Sequence, residues 1–85
     1  MSLRVDDSTV IDLMQGDRTG LNVDHVSMRV ADEVDLHEVA TSGAFDVVAG
    51  PMWIWGARGH GWGLYVRDPD GNTVELKHYG GIPPT

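Results

Sequence analysis

Residues 61–79 read GWGLYVRDPDGNTVELKHY, and this stretch decides the fold. Leu64 and Val66 alternate with Gly63, Tyr65 and Arg67. After a break, Val74 and Leu76 alternate with Thr73, Glu75 and Lys77. A period of two is the pattern of a half-buried strand. The break is Asp68-Pro69-Asp70-Gly71-Asn72. Proline pre-sets φ at the first corner, aspartate side chains bond the local backbone, and glycine supplies the positive φ that reverses the chain. The stretch is therefore a hairpin. Successive side chains of a strand point to opposite faces, so Glu75 lies opposite Val74 and Leu76.

Upstream, residues 56–61 (GARGHG) form a loop. Residues 45–55 form a strand region that contains Pro51, which predicts an edge strand or a break there. Asp32 reads as a helix N-cap, with Glu33 and Asp35 in the first turn. Leu36, Val39 and Ala40 fall at helical spacing, and Gly43 reads as the C-cap of a helix of roughly three turns. Residues 21–30 (LNVDHVSMRV) alternate again, with Val26, Met28 and Val30 on one face and Val23, His25, Ser27 and Arg29 on the other. Residues 15–20 (QGDRTG) are a polar loop, and residues 8–14 (STVIDLM) form a strand rich in β-branched residues. Met1-Ser2-Leu3 has the look of an expression scar. The tail 82–85 is expected to be extended.

The reading is α+β: one strand, then a β-α-β-β-β unit. One helix covers one face of a four-stranded sheet. The other face carries His25, Ser27, Arg29, Tyr65, Arg67 and Glu75, and is left to meet solvent, a ligand or another chain. A short internal repeat accompanies this order. Thr9-Val10-Ile11-Asp12-Leu13 resembles Asn72-Thr73-Val74-Glu75-Leu76, which places Asp12 where Glu75 falls and marks the first strand as the end of an earlier unit.

With 85 residues the chain has room for one small domain. It has no cysteine, which excludes disulfides and thiolate metal sites. Its net charge is −7 and Lys77 is its only lysine, which argues against a nucleic-acid backbone as partner. No apolar run approaches the ~18 residues that span a bilayer. The N-terminus lacks a charged-then-apolar signal, so the cytoplasm is the default compartment and no membrane partner is expected.

The motifs Val23-Asp24-His25-Val26, Gly56-Ala57-Arg58-Gly59, and residues 65–72 followed by Val74-Glu75-Leu76 resemble the vicinal oxygen chelate superfamily. That superfamily comprises glyoxalases, bleomycin- and fosfomycin-resistance proteins and extradiol dioxygenases. The resemblance runs from residue 8 to about residue 79. It implies a βαβββ module of glyoxalase/dioxygenase type over residues 21–79. Residues 8–14 would then be the last strand of a preceding module whose other parts are missing. Such modules work in pairs around a metal site, so a homodimer is expected. By resemblance His25 and Glu75 are the metal ligands, for Fe²⁺, Mn²⁺, Ni²⁺ or Zn²⁺. Two copies would offer two histidines and two glutamates, with Asp12 as a weaker extra ligand. Glu75 would also be the proton-shuttling base, and Arg29, Tyr65 and Arg67 would contact substrate.

The implied activity is that of a metal-dependent lyase or isomerase of lactoylglutathione-lyase type, acting on an α-oxo or α-hydroxy carbonyl compound. The alternatives are a metal-free drug-binding protein of bleomycin-resistance type, an extradiol dioxygenase, and an inactive truncated module. Trp53, Trp55 and Trp62 are expected at a dimer interface or at the wall of an apolar pocket. His60 and His78 read as surface residues.

Overall fold

The computed structural model describes residues 1–17, 19–20 and 23–84. Its elements are β1 (Ser2–Asp6), β2 (Thr9–Asp12), β3 (Val26–Arg29), α1 (Leu36–Thr41), β4 (Asp46–Gly56), β5 (Gly59–Arg67) and β6 (Thr73–His78). β1 and β2 form a two-stranded sheet, and the rest form a four-stranded sheet in the order β3-β6-β5-β4. β3 runs parallel to β6, while β4–β5 and β5–β6 are antiparallel. The chain is thus a small mixed α+β domain, mostly sheet with one short helix.

The β5–β6 hairpin turns as its residues require. Asp68 Oδ1 accepts from the backbone N–H groups of Asp70 and Asn72 at 3.0 and 2.8 Å, and Oδ2 accepts from the Asn72 amide at 3.0 Å. Gly71 takes φ 87°. These bonds favour the ionised carboxylate, led by the Asn72 side chain, and hold the Asp68 pKa below its ordinary value. Leu64 and Val66 project from β5 onto Leu36 of α1, and these three are the buried apolar core. Val30, Val34, Val39, Ala40, Trp62, Val74 and Leu76 pack around them.

The helix starts later and is shorter than its sequence suggested. Asp35, not Asp32, is the N-cap, accepting from His37 N–H and Glu38 N–H at 3.0 and 3.3 Å. The helix has six residues. The hydroxyls of Thr41 and Ser42 donate back to the His37 and Val39 carbonyls at 3.1 and 2.7 Å, a local alternative to further helical turns. Gly43 then takes φ 81°, one residue past the cap. Asp32 instead accepts from Tyr79 N–H at 3.2 Å and pairs with Arg29 at 3.6 Å, joining the exits of β3 and β6.

A helix this short leaves the far end of its sheet face uncovered. Val26 and Met28 share that face but are 56% and 58% exposed, and Met28, Phe45, Val74 and Leu76 line an open apolar groove there. β4 is an edge strand, as Pro51 requires, with register shifts on either side of Ala49. The strand expected over residues 21–30 begins only at Val26, and its first two positions, 21 and 22, lie outside the described residues, as do Arg18 and Thr85.

The strand expected over residues 8–14 is β2, and it has a partner in β1 where the sequence suggested only a scar. Their register matches that of β5–β6. Ser2 faces Asp12 and Leu3 faces Ile11, as Tyr65 faces Glu75 and Val66 faces Val74. Met1, Leu3, Ile11 and Leu13 then stand where Leu64, Val66, Val74 and Leu76 stand in the second hairpin, but all four are exposed. The two sheets meet through the β4–β5 turn: Arg4 donates to the Ala57 carbonyl at 2.9 Å and Arg58 to Ser8 Oγ at 2.7 Å.

Candidate functional site

The parallel register sets Ser27 beside Glu75 and Arg29 beside Lys77, and the antiparallel register sets Tyr65 beside Glu75. His25, just before β3, reaches over this row. Its Nε2 lies 3.2 Å from Glu75 Oε1, and its Nδ1–H donates to Asp24 Oδ2 at 2.7 Å. The Tyr65 ring meets the imidazole edge-on at 5.1 Å. The structure therefore brings His25, Glu75 and Tyr65 together.

Glu75 is on the face that parity assigned to it, yet it is not on an open surface. It is 4% exposed, and Lys77 on the same face is 2% exposed. The expectation of an uncovered face fails here because the chain's own side chains fill it. Gly63 provides the space for the carboxylate, since a Cβ there would lie 2.8 Å from Glu75 Oε2 and 2.9 Å from Ile54 Cδ1. Oε1 meets His25, while Oε2 is buried without a hydrogen-bond donor. The Lys77 ammonium is 3.8 Å from Oε2 and donates to the Ile54 carbonyl at 2.7 Å.

Burial shifts two groups of this row. It pushes the Tyr65 phenol above its ordinary pKa, and the neighbouring Glu75 carboxylate adds to the rise. It also pulls the Lys77 ammonium down, which Glu75 opposes.

The other candidates lie further off. Arg29 is one same-face step along the sheet, paired with Asp32 and 5.6 Å from the centre of the Tyr79 ring. Arg67 is exposed at the far end of β5, opposite Thr73. Asp12 sits in the separate hairpin and accepts from Ser2 Oγ. Trp53 and Trp62 contact each other edge-on at 5.5 Å, and Trp62 meets His37 of α1 at 5.6 Å. They are on the helix side of the sheet and do not line the His25–Glu75 row.

His60 is exposed as expected, but His78 is 5% exposed, a correction to its surface reading. It pairs with Trp62 across the strands, and Gly81 lies against it because the tail folds back. The Trp62 indole N–H donates to the Ile82 carbonyl at 3.0 Å. Sequence reasoning also passed over Lys77 and Asp24. Lys77 shares Glu75's parity and is the only lysine, a signal sufficient to place it in the row.

With Nδ1–H committed to Asp24, a neutral imidazole presents its Nε2 lone pair to a carboxylate oxygen. Nε2 and Oε1 are thus placed where both could ligate one cation. Donors of one tetrahedral ion at ~2.1 Å lie about 3.4 Å apart, near the separation seen here. The Asp24 carboxylate fixes the orientation of the His25 ring, as a carboxylate behind a histidine does in metal sites. Among the described residues, no three His, Cys, Asp or Glu side chains cluster as a full ligand set. Also among them, no helix is long and apolar enough to cross a membrane. No family model, curated protein or solved structure matches the chain.

Proposed function

We propose that this chain is a vicinal oxygen chelate protein whose His25 and Glu75 form half of a divalent-metal site, completed by a second copy of the chain. The observation that carries this reading is the facing of His25 Nε2 and Glu75 Oε1 at 3.2 Å with Asp24 behind the imidazole. Glu75 comes from the last strand of the β-α-β-β-β unit and His25 from the residue that precedes its first strand, close to the positions such a module uses. Two donors are too few for one ion, and the two-fold repetition of the pair in a homodimer gives a sufficient set. The matching registers of the two hairpins support reading residues 8–14 as the end of a preceding module.

The proposed reaction is that of a lyase or isomerase of lactoylglutathione-lyase type on a small α-oxo or α-hydroxy carbonyl compound. A bound divalent ion supplies Lewis acidity to the substrate's neighbouring oxygens. Glu75 would hold the ion through Oε1, the oxygen that faces His25, and would take and return the substrate proton there only when that oxygen is released from the ion. Burial of Glu75 keeps bulk water from that oxygen. The Tyr65 hydroxyl, beside Glu75 on the adjacent strand, would donate a hydrogen bond to the substrate. Arg29 and Arg67 supply positive charge at either end of the row for an anionic substrate.

Elemental analysis on protein of known solution mass tests the reading, run beside His25→Ala and Glu75→Ala. A dimer that carries transition metal and loses it in both variants is the expected result. A metal-free protein, unchanged by either substitution, overturns it and favours a drug-binding or inactive module.

A further inference from the structure

We infer that Lys77 is a built-in counter-cation for Glu75, which leaves the carboxylate one free oxygen and weakens the site's hold on a divalent ion. The inference rests on the proposed metal site. It does not follow from the β-α-β-β-β order, because it concerns a side chain that no ligand pattern requires.

The geometry is specific. Lys77 Nζ lies 3.8 Å from Glu75 Oε2, the oxygen turned away from His25. Oε2 is buried and has no hydrogen-bond donor. Its nearest compensating charge is therefore the ammonium. Glu75 is the one carboxylate within ion-pair distance of Lys77 among the described residues. The ammonium is held in place from two other sides, by its bond to the Ile54 carbonyl at 2.7 Å and by the Tyr79 ring at 5.6 Å.

The backbone makes room for both charges. A Cβ on Gly56 would lie 2.7 Å from Lys77 Cε and 2.9 Å from Nζ, as one on Gly63 would meet Glu75 Oε2. Two glycines on adjacent strands thus accommodate one buried ion pair. A divalent ion bound through Oε1 would share the carboxylate with a positive charge already present. In a desolvated setting the repulsion between those cations is poorly screened. The cation also draws Oε2 away from chelation, so Glu75 offers one oxygen rather than two.

The test is calorimetric titration of Zn²⁺ into the wild type, Lys77→Gln and Lys77→Arg, each confirmed folded by circular dichroism. Loss of a supporting outer-shell partner costs roughly 10–100-fold in metal affinity, and removal of an opposing charge is expected to act on the same scale in the other direction. Lys77→Gln, which keeps a donor for Ile54 but removes the charge, is expected to bind Zn²⁺ at least ~10-fold more tightly. Lys77→Arg, which keeps the charge, is expected to stay near the wild type. Equal or weaker binding by Lys77→Gln overturns the inference and leaves the proposed metal site standing if the wild type binds. Zn²⁺ taken up by Lys77→Gln and refused by the wild type supports the inference and defeats the proposed function. Refusal by both overturns the inference as well.

Should the glutamine variant fail to fold, the wild type answers alone, because Lys77 is the only lysine. A ¹³Cε-lysine label gives one NMR signal. It should shift as Zn²⁺ saturates the site, and a signal unmoved by bound Zn²⁺ overturns the inference.

Discussion

Gly63 stands directly against Glu75, close enough that a single methyl group on it would lie 2.8 Å from Oε2. The site's carboxylate is therefore seated by an absent side chain. Gly63→Ala should push Glu75 or Ile54 aside at a cost of about 1–3 kcal/mol, the usual range for overpacking. Urea unfolding would measure it. A midpoint equal to that of the wild type would show that the carboxylate has slack.

Asp24 is expected to act on His25 without touching substrate. Asp24→Asn keeps the size of the side chain but weakens its hold on Nδ1–H. On the metal reading, Zn²⁺ affinity should fall roughly 10–100-fold while the unfolding midpoint stays nearly constant. An unchanged affinity would mean that Asp24 is only a surface neighbour of the imidazole.

Asp68 makes the β5–β6 turn sensitive to acid. Its pKa is lowered in the folded chain by bonds that favour the carboxylate. Its contribution is thus fully present above the unfolded pKa, about 3.9, and is lost as pH falls through the lower folded value. Asp6 and Asp32 shift in the same direction and add to the trend. Asp68→Asn should flatten the acid limb of a stability–pH profile, as measured by urea midpoints below about pH 5. A limb as steep as that of the wild type would assign the acid loss to other carboxylates.

Two neighbouring aspartates should behave differently. Asp35→Ala removes the helix cap and should cost about 1 kcal/mol, with some loss of far-ultraviolet helical signal. Asp32→Ala should leave the helical signal intact and instead speed hydrogen exchange at the Tyr79 amide. Equal loss of helix in both variants would contradict the cap assignment.

The hairpin over β5 and β6 was legible because proline, glycine and two aspartates fix a turn by local chemistry, and because alternation fixes the faces. The juxtaposition of His25 with Glu75 needed one further step, the parallel pairing of β3 with β6, which the element order alone did not give. What parity could not supply was depth. It put Glu75 and Lys77 off the core, yet they are less exposed than Val26 and Met28 on the core side. Burial there depends on how Ile54 and Tyr79 lean over the sheet and on how short α1 is. The helix start was misplaced because Asp32 and Asp35 both fit a cap, and Asp32 is drawn away by Arg29 and by the backbone of Tyr79, a residue far along the chain. β1 was missed because Met1-Ser2-Leu3 reads as a scar, although Met1, Leu3 and Val5 alternate with Ser2, Arg4 and Asp6.

The parallel pairing of β3 with β6 also dictates an order of assembly. His25 and Glu75 are 50 positions apart, and adjacent parallel strands are joined only through a crossover, here α1, β4 and β5. Closing so long a loop is entropically unfavourable until the intervening hairpins are in place, and such distant contacts form slowly. The histidine and the glutamate are therefore expected to meet late in folding. Any lesion between them, however remote from the pair, delays or loosens their meeting, and the 3.2 Å contact serves as a readout of whether the whole unit has closed.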